Sequence, residues 1–530
     1  MKAKEFELPE ARTQKAFPDV VFVSGSDYEM GYQYADQLVE KMKSLLVILK
    51  ARAYLYSDEE TIVTDMRVQA FFSEKYDPGL LEWYRGMKDG CADHGYNVTL
   101  EDLFLLAVFP GELGARPGGS YPEGFDSINC WPASEKKKQA HGYCNAFAAT
   151  GNATKDGQPL IAISGGTMAE LAERVILIAF PEKGPCFTSF SAVGKPACQM
   201  GMNSEGFAWV QTANFNDEEG PWGLFPEIPF HYLTQYCTTP EQAQQWLKEI
   251  PKAGATGNFV MSDSEGNLSV TETNNDHFFI RKPGDCGEKA AFVVDTNHFA
   301  TPGKLDLTIP LAIDKDDFLE DSLCRYATIT EFINSAVDKG GVDMDVIHAM
   351  FHSDDWVDYK TGEWHYNDPS AARGYDLLEY TEQTVLKPAT LTAYYMAGAS
   401  GGIGVPAGGT GELIKIQLAD TPLDIADKMQ WDSFGIYETS RNLFIETMNR
   451  CDEIKKNYPN QLALRHLLDE SFREYERGMD RVSHALLYKK QGLPDSEFLK
   501  ILGKGMSHYA ASQSYANMLT HQMSYYRSEE

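Results

Sequence analysis

Apolar and polar positions along this chain change their period several times. From Asp27 to about residue 55, Tyr28, Met30, Tyr32, Ala35, Leu38 and Met42 fall roughly on one face of a helical repeat, and Asp27 stands where a cap is expected. Helical pattern continues through 59–107. Residues 110–142 break it: Ala115-Arg116-Pro117-Gly118-Gly119-Ser120 and Glu135-Lys136-Lys137-Lys138 are turn chemistry, so this stretch reads as an exposed linker. From 144 strand patterns take over. They fall at 144–150 and 158–164, then at 174–180 and 186–192 around Pro181-Glu182-Lys183-Gly184, with another pair around Asn203-Ser204-Glu205-Gly206. A helical insert is predicted at 226–249, where Thr239-Pro240-Glu241 is a good helix start. Strands return at 257–262, 267–273 and 290–296, and helices fit 320–336 and 343–352. Late strands fit 389–396 and 412–418, and helix follows from about 424. Hairpins, then helices, then hairpins again indicate an α+β protein of layered sheets and helices. No internal repeat or low-complexity segment is present.

Composition narrows the classes. Hydrophobic residues make up 43% and charged residues 23% of 530, the balance of a globular protein with a large core. The formal net charge of −30 repels phosphate backbones and anionic lipid, so neither nucleic acid nor membrane is expected as a partner. The N-terminal charges lead into no apolar segment, and Val175-Ile176-Leu177-Ile178-Ala179-Phe180 is strand length, so a cytoplasmic location is expected. The nine cysteines are scattered with no C-x-x-C pair, which argues against a disulfide framework or zinc ribbon.

One of the nine stands apart. Cys144 opens a strand directly after the linker, and Lys155-Asp156-Gly157 turns the chain into the next strand. That is where a self-cleaving enzyme would put the nucleophile it exposes as a new N-terminus. The plainer reading of any one cysteine is a small buried hydrophobe.

Cys144-x-x-Phe147 followed by Gly151-x-Ala153-Thr154-x-Asp156-Gly157-x-Pro159-Leu160 resembles the start of the catalytic chain in the acyl-CoA:6-aminopenicillanate acyltransferase family. These are N-terminal-nucleophile hydrolases with a cysteine nucleophile. Other stretches fit the family in order. Gly25-Ser26-x-Tyr28-Glu29-Met30-Gly31 is similar to its N-terminal helix, and Gly201-Met202-Asn203-Ser204-Glu205-Gly206 to a hairpin. Thr256-Gly257-Asn258-Phe259 resembles the strand with the oxyanion asparagine. Asp295-Thr296-Asn297-His298-Phe299 resembles a strand end, and Ser322-x-x-Arg325-Tyr326 a helix start. The resemblance spans roughly 20–350. It implies a four-layer αββα fold and autocatalytic cleavage between Tyr143 and Cys144. The expected parts are an N-terminal helical segment 1–143, a catalytic domain 144–423 and a helical C-terminal extension 424–530 packed on it. The two cleaved fragments are expected to stay associated.

The implied chemistry is economical. A thiol of pKa about 8.5 needs a base, and an N-terminal cysteine carries one in its α-amine, of pKa about 8. The amine takes the thiol proton, sulfur attacks an acyl carbonyl, and a thioester forms. Asn258 is the candidate oxyanion donor; its plainer reading is a strand-end asparagine. Asn203 reads as a turn residue. Asn145 stands where the family often has Thr or Ser, and is a further candidate at the nucleophile. Arg325 is a candidate for binding a substrate carboxylate, its plainer reading an ion pair on a helix surface. Two positions depart from the family pattern. Tyr143 precedes the cysteine where Gly is common. Ser164-Gly165-Gly166 stands where the family has an Asn-x-Asp whose carboxylate helps hold the amine, leaving Glu170 as the nearest acid.

Other signals carry less. His348 and His352 are spaced i, i+4, but without H-E-x-x-H they read as a helix-end cluster, and no metal is expected. Gly401-Gly402-Ile403-Gly404 and the glycines after it lack the Gly-Lys-Ser/Thr of a phosphate loop, so no cofactor is expected; the run could wall a pocket. Tyr509, Tyr515, Tyr525 and Tyr526 suit packing or the contact of a homo-oligomer. The expected activity is hydrolysis of a linear C–N amide of a small acylated substrate, or acyl transfer from it. The alternatives are a phospholipase-B-like ester hydrolase, and an inactive relative that acts as a binding protein.

Overall fold

The computed structural model describes residues 17–54, 57–108, 144–165, 174–214, 222–253, 257–308, 315–351, 353, 355–366, 382–397, 413–450 and 458–527. The linker at 110–142, Tyr143, Glu170, Gly166, His352 and the glycine run at 401–409 lie outside these residues.

In chain order the elements begin with β1 (Asp19–Gly25), α1 (Asp27–Ala53), α2 (Glu59–Tyr76), α3 (Pro78–Asp93) and α4 (Leu100–Ala107). Then come β2 (Cys144–Ala149), β3 (Leu160–Gly165), β4 (Arg174–Pro181), β5 (Phe187–Ala192), β6 (Met200–Asn203) and β7 (Ala208–Ala213). Helices α5 (Phe230–Tyr236) and α6 (Pro240–Glu249) precede β8 (Gly257–Ser262), β9 (Leu268–Thr273), β10 (Phe278–Arg281) and β11 (Phe292–Asp295). Next are α7 (Lys315–Val337), α8 (Met344–Phe351), β12 (Trp356–Val357), β13 (Trp364–His365), β14 (Glu382–Lys387), β15 (Thr392–Ala397) and β16 (Leu413–Gln417). Three long helices close the chain: α9 (Pro422–Arg450), α10 (Tyr458–Lys490) and α11 (Asp495–Arg527).

Two sheets face each other. One has eight strands in the order β1-β4-β5-β6-β7-β8-β9-β10, the other six in the order β11-β2-β3-β14-β15-β16. Alternation assigns the faces. Ala146, Ala148, Ile161, Ile163, Ile176, Ile178, Val210 and Val260 point between the sheets. Phe147, Ala149, Leu160 and Ala162 point the other way, into a core completed by Ile329 and Ile333 of α7 and Met350 and Phe351 of α8. Val175, Leu177, Trp209 and Phe259 face outward from the larger sheet, onto Met30, Tyr34 and Trp83 of the N-terminal helices. The layers therefore run helix, sheet, sheet, helix. This is the expected four-layer α+β order.

The N-terminal helices pack unusually close. A Cβ on Gly31 would lie 2.0 Å from the backbone oxygen of Trp83, and one on Gly86 would lie 1.9 Å from that of Tyr28. Only glycine lets the α1 and α3 backbones meet in this way.

The C-terminal helix α11 seals the open side of the sandwich. It contributes Phe498, Leu502, Met506 and Tyr509 to the inter-sheet core. It also meets the outermost strand of each sheet. Val20 N donates to Ser507 Oγ at 2.9 Å. Lys415 N donates to Gln513 Oε1 at 2.8 Å, and Asn517 Nδ2 to Leu413 O at 3.1 Å. The β1 edge of one sheet and the β16 edge of the other are thus covered, which blocks pairing with other chains there.

Several elements differ from those predicted. The strands β1, β10, β14 and the β12–β13 hairpin were not expected. In β1, Val20-Val21-Phe22-Val23 is buried on both faces, so it has no alternation to read; it pairs parallel with β4. The stretch 59–107 is three helices. Asp77 both follows α2 and caps α3, and Thr99 and Asp102 form a capping box at α4. The insert at 226–249 is two short helices, because Thr239 starts a new cap within it.

Candidate active site

Cys144 begins β2 at one end of the sandwich and is 4% exposed. In the β2–β3 ladder it lies opposite Gly165, where a Cβ would stand 4.0 Å from the sulfur. Alternation turns its thiol toward the larger sheet and turns Asn145 toward α7.

Asn297, two residues past the end of β11, holds the cysteine. Its Oδ1 accepts the Cys144 N–H at 3.0 Å. Its Nδ2 donates to the Ala213 carbonyl at 2.7 Å, and its side-chain amide also faces the sulfur. Burial pushes the Cys144 thiol pKa up. The Ala213 N–H, the Arg325 charge and the Asn297 amide oppose that rise.

Arg325 is the second clamp, and it is wholly buried. Nη1 donates to the Cys144 carbonyl at 2.7 Å and to Asn145 Oδ1 at 2.9 Å, and Nη2 donates to Asn297 Oδ1 at 2.9 Å. Asp321, one turn earlier on α7, pairs with it at 2.8 Å. The expectation of an ion pair on a helix surface is corrected here. The pair exists, but the guanidinium points into the protein because its fork matches three oxygens at the start of β2.

The strand end carrying Asn297 is fastened from both sides. Asn297 N donates to Ser322 Oγ at 2.9 Å, and Ser322 Oγ lies 2.8 Å from His298 Nδ1. Burial first, then the charges of Arg281 and Arg325, lower the His298 pKa to about 3, so this imidazole is neutral. Asn258 lies at the start of β8, and its two amide hydrogens are both engaged. One N–H···O contact is to Asp295 Oδ1 at 3.1 Å and the other is to the His298 carbonyl at 3.0 Å. Its Oδ1 accepts from Asn214 Nδ2 at 2.8 Å. An oxyanion role for Asn258 would require exchange of one of those bonds.

The structure thus brings together Cys144, Asn145, Arg325 and, behind them, Asn258. Asn297, Ala213 and Asn214 were not assigned a role from sequence. Asn297 lay within the quoted Asp295–Phe299 stretch, but nothing in that stretch says which side chain turns toward the thiol. Asn203 is a turn residue: its Nδ2 donates to the carbonyls of Thr234 and Cys237 at 3.1 and 2.7 Å, and Gly206 closes the turn at φ +80°.

Residues 167–357 match the family model for acyl-coenzyme A:6-aminopenicillanic acid acyl-transferase. That span is a little over a third of the chain and begins after Cys144; it contains Asn258, Asn297 and Arg325. The resemblance read from the motifs is borne out. An uncharacterized protein of Archaeoglobus fulgidus is 27% identical over 362 residues, which is 62% of this chain and 58% of that protein. The chain therefore spans less than two thirds of that relative. Among solved structures, penicillin V acylase from Agrobacterium tumefaciens aligns at 14% identity over 52% of this chain and 87% of its own, with a TM-score of 0.29. A mutant of the conjugated bile acid hydrolase from Clostridium perfringens aligns at 12% identity over 48% of this chain and 88% of its own, with a TM-score of 0.27. At such scores the alignments carry no argument; the layer order rests on the sheets and cores of this protein.

Proposed function

We propose that this protein cuts itself between Tyr143 and Cys144 and then uses the freed cysteine to cleave a linear C–N amide of a small acylated molecule. The observation that carries the reading is the double hold on Cys144. Asn297 accepts from its nitrogen at 3.0 Å, and Arg325 binds both Asn297 and the Cys144 carbonyl. A structural cysteine needs no such frame. A nucleophile whose own nitrogen is the base needs that nitrogen held beside its sulfur.

In this mechanism the α-amine takes the thiol proton and sulfur attacks the acyl carbonyl. Asn297 Nδ2 and the backbone N–H of Ala213, both facing the sulfur, are the nearest donors for the resulting oxyanion. The amine then gives its proton to the leaving nitrogen as the C–N bond breaks, and a thioester remains. Water attacks it, restoring the thiol and releasing the acid. An acceptor amine in place of water would give acyl transfer; hydrolysis is preferred because water needs no dedicated site. Asn297 Oδ1 also supplies an acceptor for the amine, where Ser164-Gly165 offers no carboxylate. The three parts 1–143, 144–423 and 424–530 belong to this proposal. The fragments would stay together because β1 is a strand of the larger sheet.

Among the described residues seven cysteines are free thiols, which supports a reducing, cytoplasmic setting. No described helix is long and apolar enough to cross a membrane.

The test is the intact mass of the full chain beside Cys144→Ala, followed by a panel of N-acyl amides with thioester trapping. Two fragments in the wild type and one chain in the variant are expected. A wild-type chain that stays whole after long incubation and releases no acid from any amide would sink the proposal and favour a binding role.

A further inference from the structure

Two buried carboxylates share one buried cation behind the thiol. Arg281 Nε donates to Glu272 Oε1 at 2.6 Å and Nη2 to Asp295 Oδ1 at 3.0 Å, with none of the three side chains more than 1% exposed. If both acids were ionised, the cluster would hold an unbalanced negative charge away from water, which is strongly disfavoured.

The hydrogen bonds show which acid can carry the compensating proton. Glu272 Oε1 accepts from Arg281 and from Ala300 N at 2.8 Å, and Oε2 accepts from Thr301 N at 3.1 Å. All of these partners are N–H groups, so Glu272 is a pure acceptor. Asp295 Oδ1 likewise accepts from Arg281 and from Asn258 Nδ2 at 3.1 Å. Asp295 Oδ2 differs, because it meets the hydroxyl of Thr212 at 2.5 Å. That same hydroxyl lies 2.8 Å from the Thr296 carbonyl oxygen. A carbonyl can only accept, and a hydroxyl has one proton. With that proton on Thr296 O, the short contact to Oδ2 needs a second one.

We propose that Asp295 is held as a neutral acid, its Oδ2–H donating to Thr212 Oγ1 while Thr212 donates to the Thr296 carbonyl, and that this link positions the Thr296–Asn297 turn at Cys144 without placing a negative charge beside the thiol. The electrostatics agree. Burial raises the Asp295 pKa, Arg281 opposes, Glu272 adds to the rise, and the value reached is about 8. The other titratable and charged groups facing this cluster are the Cys144 thiol on β2, whose pKa an ionised Asp295 raises, Arg325 and Tyr326 on α7, the neutral His298, and the Cys286 thiol, 3.8 Å from Arg281 Nη1 with its own pKa raised by burial. Below about pH 8 the acid is neutral and the thiol is spared. Above it Asp295 ionises, Thr212 must turn its proton to Oδ2, the Thr296 carbonyl loses its donor, and thiolate formation is opposed. Asp295 is a positioning residue, since its carboxyl oxygens bond Thr212, Asn258 and Arg281 and it acts on the thiol only through its charge. Its effect on the thiol rests on Cys144 being the nucleophile; its proton does not.

Infrared difference spectra of the full chain against Asp295→Asn test the proton directly. A protonated-carboxyl band is expected in the wild type at pH 7, absent from the variant and lost on raising the pH through about 8. Thr212→Val, which removes the acceptor, should shift that band. Alkylation of Cys144 should match between wild type and Asp295→Asn at pH 7 within about threefold, with the wild type lagging above pH 8. A wild type with no such band at pH 7, or a band that Thr212→Val leaves unmoved, overturns the proposal. So does a folded Asp295→Asn that alkylates more than about tenfold slower at pH 7. A wild type that shows the band yet never cleaves itself or an amide would sink the nucleophile reading and leave the neutral acid standing.

Discussion

The side-chain oxygen of Asn297 accepts the backbone N–H of Cys144 at 3.0 Å, although 153 residues separate them in the chain. The two sit at neighbouring strand ends, because β11 pairs with β2 through Phe292↔Ala149 to Asp295↔Ala146. That register carries the turn after β11 to the first residue of β2, and the N-terminal half of α7 locks it there through Ser322 and Arg325.

Asn297→Ala should therefore remove the hold on the nitrogen and a donor facing the sulfur together. A loss of about 10²- to 10³-fold in kcat is expected, with KM little changed. Arg325→Lys keeps the charge and loses the fork, so it should slow both self-cleavage and turnover while the protein stays folded. Fragment mass over time and steady-state kinetics check both. An Asn297→Ala chain that processes at the wild-type rate would remove Asn297 from the mechanism.

A second relationship ties the residues before Cys144 to those after it. His231 on α5 pairs with Asp77 at 2.9 Å, at 1% and 0% exposure. Burial alone lowers the His231 pKa, but the Asp77 carboxylate and its hydrogen bond outweigh that and the net shift is upward. A raised histidine contributes stability that is fully present below its unfolded pKa, about 6.5, and is lost as pH rises through the folded value. Asp77→Asn keeps an oxygen for the Leu80 N–H at the start of α3 and removes the charge. Melting temperature against pH should flatten in the variant over that window. An unchanged slope would exclude the pair as its source.

Gly86→Ala should destabilise the N-terminal layer, because its Cβ would meet the Tyr28 carbonyl at 1.9 Å, a backbone atom that cannot rotate away. A cost of about 3 kcal/mol is expected. Thermal melting and the yield of soluble protein read it out.

Removal of residues 424–530 should leave an aggregating chain, not a trimmed enzyme. It strips Ser507, Gln513 and Asn517 from the edges of β1 and β16 and uncovers the inter-sheet core beside them. Light scattering of the truncated chain checks this; a soluble monomer with normal melting would contradict it.

What could be read from residues alone was local. The helical stripe of α1, the Lys155-Asp156-Gly157 turn that separates the short strands β2 and β3, and the Asn203–Gly206 turn all follow from short-range chemistry, and they were enough to indicate α+β layers and an unusual cysteine. β1 escaped because its short apolar run has no hairpin partner next to it in sequence; its only neighbour among the described strands is β4, about 150 residues on and parallel. Arg325 looked like a surface residue because an i, i+4 pair with Asp321 reads the same whether the helix faces water or the core. Asn258 and Asn297 were both strand-end asparagines in the sequence, and their difference is wholly tertiary. Burial and register commit the amide hydrogens of Asn258 to Asp295 and His298, while the same register turns Asn297 onto the Cys144 nitrogen. The sequence determined which residue types are present and the local elements that carry them. Only the packing of two sheets and α7 decided which amide meets the thiol, because hydrogen-bond partners are chosen by distances of a few ångströms between segments far apart in the chain.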